Sequence, residues 1–145
     1  MKIRLAAVLL FLALPSVALA AGEVLLYRDP GCGCCEAWAQ AVRAKLDRKV
    51  IVRDQVARVR LQRQSGLPPA LSSCHTAIID GFVIEGHVPV AEVKRLLAAR
   101  PAGVKGLAVG GMPIGSEGMA APSGARQHYD VVAFGPAGAR VFARY

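Results

Sequence analysis

Asp80-Gly81 stands between two apolar runs, Thr76-Ala77-Ile78-Ile79 and Phe82-Val83-Ile84. No other feature limits the fold as tightly. Asp-Gly readily takes the positive φ that a two-residue hairpin turn demands, so the runs predict an antiparallel hairpin. Whatever precedes it must supply further strands, because a hairpin alone is marginal in water.

The preceding segment supplies them. Val24-Leu25-Leu26-Tyr27 reads as a buried first strand, ended by Arg28-Asp29-Pro30-Gly31. From about Cys34 a helix carries Trp38, Ala41, Val42 and Leu46 on one face. Val50-Ile51-Val52 is a second strand. Asp54 is placed to cap a second helix with Val56 and Val59 turned inward and Gly66 closing it. Leu67-Pro68-Pro69 connects to the hairpin. Pro89 then opens a third helix with Val90, Val93, Leu96 and Leu97 inward, and Pro101 forbids its continuation. From Ala102 to Gln127 glycine and proline abolish any period, which predicts one long loop of the kind that carries function. Tyr129 to Phe134 and Val141 to Tyr145, joined around Gly135-Pro136-Ala137-Gly138, read as a closing hairpin.

The expected fold is therefore α/β, a thioredoxin-like mixed sheet in the order β-α-β-α-β-β-α with a C-terminal β-hairpin extension. In such folds a Cys-x-x-Cys lies between the first strand and first helix, where Cys32 to Cys35 stand. The strand entrance opposite is, by element count, Ser73-Cys74-His75. Topology thus predicts that Cys74 faces the first three cysteines across about 40 residues of sequence.

Residues 1–20 read as a signal peptide: Lys2 and Arg4, an apolar run from Leu5 to Leu14, and Ala18-Leu19-Ala20 before a cleavage point at Ala21. Residues 21–145 are expected to form a single metal-binding domain, exported to the periplasm, with no stable membrane insertion. The net charge is +8. Its basic residues are spread over several elements with few aromatics among them, so a solvated basic face is expected and no nucleic-acid partner.

Three of the four cysteines form Cys32-Gly33-Cys34-Cys35. A Cys34–Cys35 bridge is strained, since adjacent Cα atoms are about 3.8 Å apart and a disulfide wants at least roughly 4.4 Å. Cys32 with Cys35 is the redox-type pair and leaves Cys34 to reach Cys74. Structural zinc sites space their ligand pairs more widely, and ferredoxin-type iron–sulfur spacings are absent. A thiolate that bridges two ions turns close spacing into an advantage, and soft sulfur selects Cu(I). The start of a helix also favours thiolate at Cys34 and Cys35. The residues favour a polynuclear Cu(I)–thiolate site.

The histidines and methionines each have two readings. His75 is a ligand if the backbone is irregular beside Cys74, because neighbours in a strand face opposite ways; otherwise it is a hydrogen-bonding residue. His87, in the turn before the third helix, is structural or closes over the site. His128 reads as surface, Trp38 as core, and Glu36 as a helix-dipole residue. Met112 and Met119 lie in a glycine-rich loop with little core to fill, so both are candidate thioether ligands.

Four motifs in order carry a resemblance that spans the chain beyond the signal peptide: Tyr27-Arg28-Asp29-Pro30-Gly31-Cys32-Gly33-Cys34-Cys35, Ser73-Cys74-His75-Thr76-Ala77, Glu85-Gly86-His87-Val88-Pro89, and Gly106-Leu107-Ala108-Val109 with Gly111-Met112-Pro113. The chain resembles the CopG-type periplasmic copper-resistance family. The resemblance implies a thioredoxin-like fold and a cysteine-bridged multinuclear copper cluster. It also implies a role in copper tolerance beside copper efflux or copper-carrier proteins. Cys32, Cys34, Cys35 and Cys74 match the cluster thiolates, and His87 and Met112 match family motif positions. Gly110 and Glu117 stand where the family commonly has prolines, which loosens the loop before Met119.

The function expected is copper binding, for sequestration or transfer, with a copper or thiol redox activity left open. One alternative is a thiol–disulfide or copper oxidoreductase using Cys32-x-x-Cys35. Another is a binding module whose cysteines are purely structural.

Overall fold

The computed structural model describes residues 22–54 and 58–145. The expected signal peptide and Val56 lie outside the described residues. Strand β1 (Val24–Arg28) leads through a tight turn into helix α1 (Gly33–Leu46), then β2 (Val50–Asp54) and α2 (Arg58–Ser65). A single 3-10 turn, Pro69–Leu71, precedes the hairpin β3 (His75–Ile79) and β4 (Phe82–Glu85). Helix α3 (Val90–Ala99) follows, then β5 (Gly106–Ala108), β6 (Asp130–Gly135) and β7 (Gly138–Arg144).

Among the described residues seven strands join one mixed sheet in the order β2-β1-β3-β4-β5-β6-β7. The β1–β2 and β4–β5 pairs are parallel, and the rest are antiparallel. Asp80 (φ 49°) and Gly81 (φ 85°) both take positive φ in the β3–β4 turn, as the dipeptide requires. In the closing hairpin the strands run further inward than expected, so that only Pro136 and Ala137 remain as the turn. That hairpin is no appendage: β6 pairs with β5 and continues the sheet.

The main core lies on one face of the sheet, and a smaller cluster of Leu67, Ala108 and Phe134 lies on the other. Val24, Leu26, Ala77, Ile79, Phe82, Ile84 and Leu107 share a face of the sheet and bury against Trp38 and Val42 of α1 and Val90, Val93 and Leu96 of α3. Alternation along the β3–β4 pair sends Thr76, Ile78, Val83 and Glu85 to the opposite face, where α2 lies.

Helix α2 departs from expectation. Val59 is 45% exposed, not inward, and Gln62 is the buried residue of the helix. Polar contacts hold it, so its apolar pattern misleads. Asp54 is the last residue of β2 and pairs with Arg28 (2.6 Å); the segment in which it is expected to cap α2 lies outside the described residues. The basic residues are dispersed as expected, and Arg43, Lys45, Arg48, Lys49 and Arg58 each have a carboxylate partner.

Candidate metal centre

Three strand ends lie side by side at one end of the central strands: the exit of β1, the entrance of β3 and the exit of β4. The β1 exit turns at Gly31 (φ 71°) and places Cys32 as the N-cap of α1. A sulfur fills the role usually taken by a serine or aspartate oxygen: Cys32 Sγ accepts from the Cys35 backbone N–H at 3.3 Å. Cys34 and Cys35 therefore occupy the first helical turn, beside backbone N–H groups that carry partial positive charge.

Cys74 arrives from the other side. It precedes β3, so the alternation of a strand does not bind it, and its carbonyl accepts from Asp29 N–H (3.1 Å) in the β1–α1 turn. Its sulfur lies 3.3 Å from Cys35 Sγ and 3.9 Å from Cys34 Sγ. Cys32 and Cys34 sulfurs are 3.4 Å apart, and Cys32 and Cys35 are joined as a disulfide. All four sulfurs lie within 4.8 Å of one another. Cys35 and Cys74 are buried, while Cys34 is partly exposed.

Both expected histidines join the group. His75 Nδ1 is 3.5 Å and His87 Nε2 is 3.2 Å from Cys74 Sγ, and the three ligand atoms lie within 4.8 Å of one another. His87 Nδ1 donates to the Glu117 carbonyl at 2.8 Å. That hydrogen bond fixes the tautomer and leaves the Nε2 lone pair facing Cys74. His75 is fully buried between the Trp38 ring (centroids 4.8 Å apart) and the edge of His87 (4.9 Å), and its Nε2 has no hydrogen-bond partner among the described residues. Trp38 is core, as expected, but it is also a wall of the site.

Burial governs the protonation states. It pushes His75 down to about 3, helped by neighbouring His87 and Arg58, and it lowers His87 against the opposing pull of the Glu117 carbonyl. Both rings are neutral near pH 7, the form that binds metal. Burial, then the nearby Cys34 sulfur, push the Cys74 thiol up to about 12. The metal-free Cys74 thiol therefore keeps its proton, with His87 Nε2 at 3.2 Å and His75 Nδ1 at 3.5 Å as the nitrogens within its reach. This donor set fits a soft cation: convergent sulfurs, two neutral imidazoles and an opening at Cys34.

The two methionines flank the sulfur group on different sides. Met112 is 53% exposed and shares a groove with Ser73 and Cys74, while half-buried Met119 lines another with Cys34 and Ala37. His128 is exposed, as expected. Glu36 sits in the first turn of α1 and pairs with Arg28 (3.3 Å) and Arg43 (2.8 Å).

Three participants escape the sequence reading. Glu117 holds His87 through its carbonyl and reaches Lys45 (2.8 Å) and the Val90 N–H (3.3 Å) through its carboxylate. Glu85 and Arg58 form a buried polar cluster behind Cys74. A glutamate closing the apolar run Phe82-Val83-Ile84 was a visible signal for Glu85; nothing local marks the other two.

A family model described as a protein of unknown function, DUF411, matches residues 71–119. The chain is 35% identical to a solved structure of copper resistance protein CopG in its form 1, with a TM-score of 0.79 over 87% of this chain and 98% of that one. It is 36% identical to the form 2 structure, with a TM-score of 0.77 over 85% of this chain and 97% of that one. No curated protein matches the chain.

Proposed function

The chain belongs to the CopG family of copper-resistance proteins, and we propose that it is a periplasmic copper-binding protein holding several Cu(I) ions on bridging thiolates. The observation that supports this most is the convergence of four sulfurs from two distant segments within 4.8 Å. Thiolates this close can share ions, each sulfur bridging two. Cys32, Cys34, Cys35 and Cys74 are the bridging ligands once the Cys32–Cys35 bond is reduced. His87 and His75 complete the coordination from the buried side, and Met112 and Met119 are thioether ligands at the two openings. Residues 1–20 direct export, and residues 21–145 act as one domain in copper sequestration or in handover to efflux and carrier proteins.

Anaerobic titration of the reduced chain tests the reading. It should bind more than one Cu(I) per monomer with thiolate-to-copper absorption, and Cys74→Ser should lower both. A single copper or none, or an unchanged titration of Cys74→Ser, contradicts it.

One observation favours a second reading. Cys32 and Cys35 are already bonded, and the Cys74 sulfur stands 3.3 Å from Cys35, a position for thiol–disulfide exchange. On that reading, metal-free protein supplied with dithiothreitol catalyses the reduction of insulin, the Cys32/Cys35 dithiol being oxidised to the disulfide as insulin is reduced and dithiothreitol restoring the dithiol, and Cys34→Ser keeps the activity.

A further inference from the structure

We propose that Glu85 is a positioning residue that holds Cys74 against the other three cysteines. Glu85 ends β4 on the face opposite α1 and α3, and it is fully buried. A buried carboxylate is costly unless its lone pairs are satisfied. Here Oε1 accepts from the Ser73 backbone N–H (2.7 Å) and from Gln62 Nε2 (2.6 Å), and Oε2 accepts from the Thr76 hydroxyl (2.5 Å). Ser73 and Thr76 bracket Cys74-His75, so one side chain grips the cysteine segment at both ends.

Arg58 closes the grip. Its guanidinium lies 3.7 Å from Glu85, donates to the Ser73 carbonyl, and pairs with Asp29 at 2.8 Å. Asp29 is the residue whose N–H holds the Cys74 carbonyl. The path from the carboxylate to the Cys74 backbone is therefore continuous. Cys74 needs such a device because it lies ahead of β3 and outside the sheet register. Bridging geometry leaves little tolerance for its position.

The inference deepens the copper reading and rests on it for one readout only. The experiment uses the full chain with Glu85→Ala and Glu85→Gln. In metal-free protein, site-resolved iodoacetamide labelling reports Cys74 and Cys34 separately. Glu85→Ala should speed Cys74 labelling roughly tenfold, as loss of several hydrogen bonds opens the segment, and leave Cys34 nearly unchanged. Its Cu(I) affinity should fall roughly 10–100-fold, the usual cost of removing a partner behind a ligand. Gln keeps an acceptor for Ser73 and offers a donor to Thr76, so Glu85→Gln should stay within about threefold of the parent. Should Glu85→Ala not fold, Thr76→Val removes one arm of the grip and should still speed Cys74 selectively. Unchanged Cys74 labelling, or equal acceleration of Cys34 and Cys74, overturns the inference. A parent protein that takes no copper contradicts the copper reading and leaves the labelling to decide this one.

Discussion

Among single residues, His75 carries the sharpest physical conflict. Its ring is wholly enclosed, one nitrogen faces Cys74 and the other has no partner among the described residues. Leaving a polar atom so placed costs stability, which an apolar residue would not. It also sets a pH dependence. An unfolded histidine takes a proton below about pH 6.5, whereas folded His75 does so only near 3. Its contribution is therefore complete above the unfolded value and is lost as pH falls through that window, at up to about 1.4 kcal/mol per pH unit. Buried Glu85, raised to about 7, works in the opposite sense, its contribution being lost as pH rises. Comparison with His75→Gln separates the two. The urea midpoint of metal-free parent should fall more steeply from about pH 6.5 to 5 than that of the variant. Parallel slopes would show that His75 is not held neutral.

At the level of elements, the site depends on close approach of backbone segments. Gly86 joins β4 to the His87 turn with φ 67°, and a Cβ there would lie 2.4 Å from the Val109 carbonyl and 2.6 Å from Ser73 Cβ. Gly111 has the same φ and open space around it. Both Ala variants pay the left-handed strain, roughly 1–3 kcal/mol, but only Gly86→Ala adds overlap. Thermal unfolding should therefore show Gly86→Ala clearly less stable than Gly111→Ala; equal losses would refute the contact. Helix α2 gives a second contrast. Val59→Ser should change stability by no more than about 0.5 kcal/mol, while Gln62→Ala, which strips a donor from buried Glu85, should cost about 1–3 kcal/mol by urea unfolding.

These elements also show what a single sequence reveals. The Asp80-Gly81 turn, the α1 and α3 faces and the ends at Gly66 and Pro101 follow from local chemistry, and the structure has them. The inward position assigned to Val59 fails because Gln62 and Arg58 anchor the described part of α2. Strand β5 is three residues long and begins with glycine, too short to show a period, and only its pairing between β4 and β6 defines it. The meeting of Cys74 with the cysteine trio was readable because topology alone brings those segments together. The Glu117–His87 contact was not, since it needs the path of an aperiodic loop.

Over the whole molecule, the mixed sheet is a plate that fixes three neighbouring strand ends at one end of its central strands, and α1 and α3 bury one of its faces. Among the described residues no helix is long and apolar enough to cross a membrane. The plate gives the four sulfurs a frame, with buried imidazoles behind and Cys34 toward solvent. Four sulfurs within 4.8 Å of one another are close enough to surround one ion or to share several, and the proposed cluster is the second arrangement. Copper K-edge X-ray absorption on the reduced, anaerobically loaded chain tests that claim most directly. The account predicts a sulfur-dominated shell with a short copper–copper vector that Cys74→Ser abolishes; full loading without any copper–copper scattering would contradict it.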